Sequence, residues 1–336
     1  TIHDQIIEGL RSRGLQARFA SLAHVGRARE RMDSLRKQGH LSDSLTEKYL
    51  SWMEYDYAKH FPEAGSILLI ARPEPIQGLC FHHQGREMYT VIPPTYVYSE
   101  GLGMIDETLT ELIGPGRFAR TRLPDKSLAV SSGLAQYGRN NICYVAGMGS
   151  FVRLSSYYTD ITYDTDTVNE RPVMPACETC RRCERSCPTG ALRSDGTFLR
   201  EKCLRHYMLC GEIIPEEFRG HLGRDLVGCD TCQRVCPHNH GQYKGERMPD
   251  PDTVSVFSIQ DILEEWETGL KNRLGRMAPV IGANYARANK ILAAALIAAH
   301  KADDLIPAIG RALWHPQPNI RRYAAWALSF HEGEEA

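Results

Sequence analysis

Hydrophobic and polar positions follow two periods along the chain. Through residues 1–36, Ile6, Ile7, Leu10 and Leu15 recur among charges at helical spacing, which predicts a largely helical segment. Residues 41–61, with Leu45, Tyr49, Leu50 and Trp52, predict a second helical stretch. SILLIA at 66–71 is a short continuous apolar run before Pro73 and Pro75, the mark of a buried strand. Residues 88–92 predict another strand, stopped by Pro93 and Pro94, and residues 102–113 a helix ended by Gly114-Pro115-Gly116. Residues 142–145 and 151–158 predict a strand pair across the turn at 146–149.

The pattern then changes. Pro172 and Pro175 mark a boundary into a segment of clustered cysteines, and Pro249 and Pro251 mark a second linker. Beyond it the chain reads as helices: a short one at 258–265, a strongly apolar one at 284–300, and amphipathic ones at 303–313 and 319–330. The last of these resemble about one and a half HEAT-type repeats, or equally a plain helical cap. The expected architecture is α+β in three parts: an α/β domain over 1–170, a cluster domain over 171–248 and a helical tail over 249–336.

Composition narrows the function. The 336 residues are 42% hydrophobic and 24% charged, with a net charge of −1, which excludes a disordered chain and a globally basic nucleic-acid binder. The longest apolar run, 291–299, is far short of the ~18 residues of a membrane span. The N-terminal residues show no signal-peptide core, so a cytoplasmic location and no membrane partner are expected. No phosphate-binding loop, nucleophile elbow or zinc-protease motif occurs, and Gly147-Met148-Gly149 lacks the third glycine of a dinucleotide loop.

Nine of the 11 cysteines lie between 177 and 236. Cys177, Cys180, Cys183 and Cys187 read C-x2-C-x2-C-x3-C with Pro188 next, the ferredoxin spacing for [4Fe–4S] clusters, whereas zinc has no use for the third cysteine or the proline. Cys229, Cys232 and Cys236, followed by Pro237, form a second run that lacks its first member, since position 226 is Leu226. In this pattern the last cysteine of each run serves the other cluster. One cluster then takes Cys177, Cys180, Cys183 and Cys236. The other takes Cys187, Cys229, Cys232 and either Cys203 or Cys210. Cys80 and Cys143 read as small buried apolar residues.

The chain resembles the epoxyqueuosine reductase family, and more distantly the reductive dehalogenases. The resemblance is carried by four cysteines, a lone cysteine 16 residues later at Cys203, and GCDTCQRVCPHN at 228–239. The run IPEE at 214–217, the segment GLAQYGRNN at 133–141, Gly149-Ser150-Phe151, Thr159-Asp160 and the helical tail add to it. The family places the fourth ligand of its second cluster at the lone position, which favours Cys203 over Cys210. It also implies a nitroreductase-like domain holding a cobalamin, with a double-cluster domain that feeds it electrons.

The resemblance implies a cobalamin-binding set of Gly133, Tyr137, Gly138, Arg139, Asn140, Asn141, Ser150 and Phe151. In the family an aspartate 14 residues before the glycine segment protonates the opening epoxide; here that count reaches Ala119. The nearest carboxylate, Asp125, reads by itself as a surface or helix-capping residue. Reductive dehalogenases use a tyrosine supported by a cation. Asp125, Tyr137 and Arg139 are therefore the catalytic candidates, with Tyr96, Tyr98, Tyr157 and Tyr158 as further tyrosines. The expected partners are an electron donor of flavodoxin or ferredoxin type and an electrophilic small molecule or modified nucleoside. tRNA is a further expected partner, through Arg287, Lys290, Arg321 and Arg322, a group that otherwise reads as a solvated helix face. The competing expectation is an electron-transfer protein that reduces a corrinoid protein or another enzyme.

Overall fold

In the computed structural model of the chain, the described residues are 1–41, 43, 46–47, 50–74, 76–92, 101–165, 167–170, 172–222, 226–241 and 255–331. Tyr96, Tyr98 and the expected linker at 248–254 lie outside them, as does part of the expected helix at 41–61. Two compact units divide the chain: Thr1–Glu74 with Ser99–Cys180, and Pro75–Tyr98 with Arg181–Ala336.

The first unit opens with α1 (Ile2–Arg11), which starts at Thr1, whose hydroxyl accepts from the Asp4 amide at 3.3 Å while Asp4 reaches back to Thr1. Gly14 then takes a positive φ of 76° and turns the chain into β1 (Gln16–Ala20), so the expected continuous helix is broken before α2 (Ala23–Lys37). SILLIA lies in β2 (Ser66–Pro73). Next in order come β3 (Gln77–His83), β4 (Arg86–Ile92), α3 (Gly101–Ile113), β5 (Phe118–Arg120), α4 (Asp125–Ser131), β6 (Gln136–Tyr137), β7 (Cys143–Tyr144) and β8 (Val152–Thr159).

One antiparallel sheet runs β1-β2-β8-β5. Its centre is buried on both faces, which is why β2 reads as an unbroken apolar run rather than an alternating one. Leu68 and Ile70 pack with Ile6 and Leu10 of α1 and Ile105 and Leu109 of α3. Ile67 and Leu69 face the other way, onto Val25 and Ala28 of α2 and Leu128 of α4. The expected pairing of residues 142–145 with 151–158 does not occur. β8 is needed in the sheet between β2 and β5, whereas β7 pairs with the short β6. Residues 145–149 close a turn on themselves, with Val145 and Gly149 exchanging backbone hydrogen bonds.

β3 and β4 belong to the second unit, not to the N-terminal domain in which the sequence reading had placed them. Gln84 and Gly85 join them with φ of 46° and 78°, the two positive values that a tight two-residue hairpin requires. Leu79, Phe81, Met88 and Ile92 then pack into a core with Phe257, Ile262 and Leu263, so the hairpin is held by the helices of the tail. Those helices include Ile259–Glu265, Leu270–Ile281, Ala288–Ala299 and Pro318–Leu328. The helix Leu270–Ile281 was missed by pattern, because it carries Pro279 and buries the charged Arg273, which pairs with Asp261 at 2.9 Å and Glu265 at 2.7 Å. Among the described residues no helix is long and apolar enough to cross a membrane.

Candidate functional site

The second unit gathers thiols. Short helices Arg182–Ser186 and Thr231–Arg234 pack together and carry Cys183 and Cys232, and the turn Arg200–Lys202 delivers Cys203 ahead of the helix Leu204–Cys210. Burial pushes the Cys232 thiol well up, and Cys229, Cys203 and Cys183 push it further because each would be a nearby like charge. Cys203 is raised by burial, with Cys187 adding to it. Cys183, Cys187, Cys203, Cys229 and Cys232 therefore share one neighbourhood. So many crowded sulfurs are stable as thiolates only when a cation neutralises them, and the donor set suits a soft iron–sulfur centre. The Ala191 amide donates to Cys187 Sγ at 3.3 Å, an arrangement that stabilises sulfur-borne negative charge. Cys210 departs from this group: its Sγ stands 3.3 Å from His206 Nδ1, one turn back on its own helix.

The first unit carries the segment after α4. Arg139 turns its Nε and one terminal nitrogen onto the Cys177 carbonyl, at 3.2 and 3.0 Å. The Tyr137 amide donates to Pro172 and its carbonyl accepts from Met174, which ties β6 to the residues that lead into Cys177. Not all of the expected cofactor residues face outward. Asn140 is buried and spends its side chain within the loop, donating to Tyr144 at 2.8 Å and accepting from the Ile142 amide. Phe151 and Ser150 are buried, and a Cβ on Gly138 would lie 2.6 Å from both Asn140 and the Tyr144 ring. These four build the scaffold. Gly133, at φ 83°, and Asn141, at φ 59°, are exposed, and Tyr137 and Arg139 are half-buried.

Asp125 is neither a surface residue nor a cap. It opens α4 half-buried and accepts a short hydrogen bond from the Ser156 hydroxyl of β8. Burial pushes its carboxyl up to about 7, opposed by the Ser156 hydrogen bonds and by Arg153. The next residue, Lys126, has a solvent-accessible side chain, yet surrounding protein lowers the pKa of its amine. Lys126 donates to the Asn141 carbonyl and lies 5.0 Å from the centroid of the Tyr137 ring, so Lys126, not Arg139, is the cation beside that tyrosine. Burial and then Cys143 raise the Tyr137 phenol to about 12, leaving it neutral and able to donate. Cys143 itself is raised to about 11 by burial, partly offset by Lys126, and is an inert thiol.

Ala119, where the resemblance counts an acid, sits on β5 opposite Tyr158 and packs in the core with Leu123. Sequence reasoning missed Lys126 and Ser156. Lys126 adjoins a residue already singled out, while nothing local marks Ser156. Exposed Gly133 lies beside the Arg18 guanidinium, whose nearest atom would be 3.7 Å from an added Cβ. Lys126, Asn141 and the Tyr137 ring come together, and the exposed backbone of Gly133 follows the same helix, so a cation, a ring and accessible backbone are the groups here that would suit a large cofactor. Of the tail cations, Lys290 is turned onto the Leu209 and Asn284 carbonyls, and Arg321 onto those of His315 and Pro316.

Residues 176–239 match the family model described as a 4Fe-4S double cluster binding domain. Epoxyqueuosine reductase of Listeria monocytogenes serovar 1/2a is 30% identical over 249 residues, covering 71% of this chain and 64% of the relative. The chain spans between about half and two thirds of the length of the curated relatives it matches, 53% in the two Bacillus enzymes of B. anthracis and B. subtilis. A solved epoxyqueuosine reductase superposes with a TM-score of 0.72 at 22% identity, covering 97% of this chain and 89% of that one. Another, crystallised with a tRNA-Tyr epoxyqueuosine-modified stem loop, gives a TM-score of 0.69 at 22% identity over 97% and 89%.

Proposed function

The chain belongs to the epoxyqueuosine reductase-like family of double-cluster proteins, and from that membership we propose that it is a cobalamin-dependent iron–sulfur reductase. Two [4Fe–4S] clusters would pass electrons to a cobalamin that reduces an electrophilic substrate. By the ligation pattern of the spacing, Cys177, Cys180, Cys183 and Cys236 hold one cluster and Cys187, Cys203, Cys229 and Cys232 the other. The neighbourhood shared by the last four supports Cys203 over Cys210. A nitroreductase-like character for the first unit and a HEAT-like one for the tail follow from the same family reading.

The observation that carries the proposal is a buried carboxyl pushed to about 7 beside the segment that the resemblance assigns to the cofactor. Gly133, Tyr137, Asn141 and Lys126 would hold the cobalamin, which when bound supplies low-potential electrons to the electrophile. The remaining chemistry belongs to side chains. Deoxygenating an epoxide consumes two electrons and two protons and releases water. Asp125, half protonated near neutrality, supplies a proton to the oxygen as its carbon–oxygen bond breaks and, being only half-buried, is recharged from solvent. Tyr137, neutral beside Lys126, donates a hydrogen bond to the same oxygen. Arg139 anchors the loop to the backbone of the first cluster cysteine. The substrate we propose is an epoxide-bearing modified nucleoside in tRNA, since a relative was solved with an epoxyqueuosine-modified stem loop. A flavodoxin or ferredoxin would supply the electrons, in the cytoplasm.

Anaerobic reconstitution with cobalamin tests the reading. About eight iron and one cobalt per chain, with turnover of epoxyqueuosine-tRNA, is the expected result. Ala119, an apolar side chain packed against the core at the counted acid position, favours a second reading, an electron-transfer protein for a corrinoid partner. Full iron with no retained cobalt, and fast reduction of such a partner, would establish that one instead.

A further inference from the structure

We infer that Ser156 and Thr121 are positioning residues for Asp125, forming a one-way chain of hydrogen bonds that ends on its carboxylate. This inference rests on the reading of Asp125 as the acid. The Leu123 amide donates to Thr121 Oγ1 at 3.3 Å. Thr121 and Ser156 hydroxyls stand 2.6 Å apart, and the Ser156 proton is directed to Asp125 Oδ1. Ser156 Oγ has one proton, so Thr121 must donate to it. The Thr121 amide also donates to the Ser156 carbonyl at 2.9 Å, which pins the two residues to each other at the edge of the sheet.

Ser156 and Leu123 are 3% and 1% exposed while Thr121 and Asp125 are half-buried, so the middle of the chain is closed to water. Hydrogen bonds aligned in one direction polarise one another and favour the ionised carboxylate, while burial favours the neutral acid. The chain therefore fixes the rotamer of Asp125 and keeps it from becoming too weak an acid to give up its proton.

The other charged groups around the site are committed elsewhere. On β8, Arg153 attracts Asp125 and stands 3.4 Å from Glu74, which also holds Arg72 of β2. Lys126 on the same helix donates to Asn141, Cys143 of β7 acts on Lys126, and Arg31 of α2 acts on Tyr137.

Infrared titration of the Asp125 carboxyl band, isolated by subtracting D125N, tests the chain of bonds in the metal-loaded protein without substrate. The wild-type midpoint is expected near 7. Ser156→Ala raises it by about one pH unit, a tenfold change in proton affinity. Thr121→Val raises it by less, and Ser156→Thr, which keeps the hydroxyl, restores it. The alkaline limb of turnover moves with the band. An unmoved band in both S156A and T121V overturns the inference, as does a shift in T121V alone. A band that moves as expected while D125N keeps full turnover removes Asp125 as the acid. That result would refute the function and leave the hydrogen-bond chain intact.

Discussion

The cysteine segment and the acid site teach different things about how chemistry is written in a sequence. The cysteine runs set sulfurs three or four residues apart, so most cluster ligands are a local word that spacing spells out, completed by thiols brought from elsewhere in the segment. The acid has no such word. An aspartate becomes an acid poised near neutrality through what surrounds it, and its surroundings here come from β5, β8 and the loop after α4, up to 31 residues away. Counting along the chain reached Ala119, a half-buried residue against the core, whereas the structure puts a desolvated carboxyl six residues later at Asp125. The two regions therefore differ in how they break.

The largest effect is expected among the thiols. Cys203→Ala removes one ligand and about half of the iron, four atoms of about eight, with the lost cluster's EPR signal. Cys210→Ala, whose sulfur faces His206, keeps iron content and signal at the wild-type level. The reverse outcome would mean that resemblance and shared neighbourhood had both misled. Next in size, Asp125→Asn lowers kcat by about a hundredfold or more, as loss of a general acid does, with iron and cobalt content unchanged. A D125N protein that loses metal instead would erase the separation between the two regions.

Much of the fold was legible. SILLIA gave the central strand because burial on both faces leaves a continuous apolar run, and residues 102–113 gave α3 because glycine and proline stop it. β1 was hidden between two helices, and its five residues offer too short a pattern to interrupt a helical one. The pairing of β8 was misread because adjacency along the chain favours a hairpin, while the core demands β8 at the centre of the sheet. Within the site, the resemblance singled out exposed and buried residues alike, and of these Gly133 and Asn141 are exposed. Asn140, Ser150 and Phe151 were credited to the cofactor, though they satisfy and fill their own loop. Conformation and contact separate these roles, and neither is visible in residue type.

Two glycines sharpen that separation. Gly138→Ala drives a Cβ to within 2.6 Å of the Tyr144 ring and Asn140, backed by buried neighbours, and is expected to cost about 1–3 kcal/mol on thermal or urea unfolding. Gly133→Ala meets only the Arg18 guanidinium at ordinary contact distance and pays for its positive φ, about 1–2 kcal/mol, falling at the low end because a turn outside α4 tolerates relaxation. If Gly133 lines the cobalamin site, G133A also weakens cobalt retention at a pH where G138A, once folded, does not.

The smallest effect concerns the pH dependence of stability. The Asp125 carboxyl titrates near 7 when folded and near 3.8 when unfolded. Below 3.8 both states carry the proton, and the group contributes nothing to the balance. Between 3.8 and 7 the unfolded chain is ionised and the folded one is not, so unfolding releases a proton and stability falls as pH rises. Above 7 the penalty is constant. Asp125→Asn removes it while keeping an oxygen for the Ser156 hydroxyl, and is therefore expected to be more stable than wild type at pH 8. The two proteins converge at pH 3.5. Asp125 is only half-buried, so solvent screens the effect, which leaves a gain of about 2–4 °C in Tm at pH 8 by calorimetry. A loss of stability in D125N at pH 8 would show that the ionised carboxylate is the better-held form. Asp125 would then be a structural anion paired with Arg153, and the acid site would be as local in its purpose as the cysteines are in theirs.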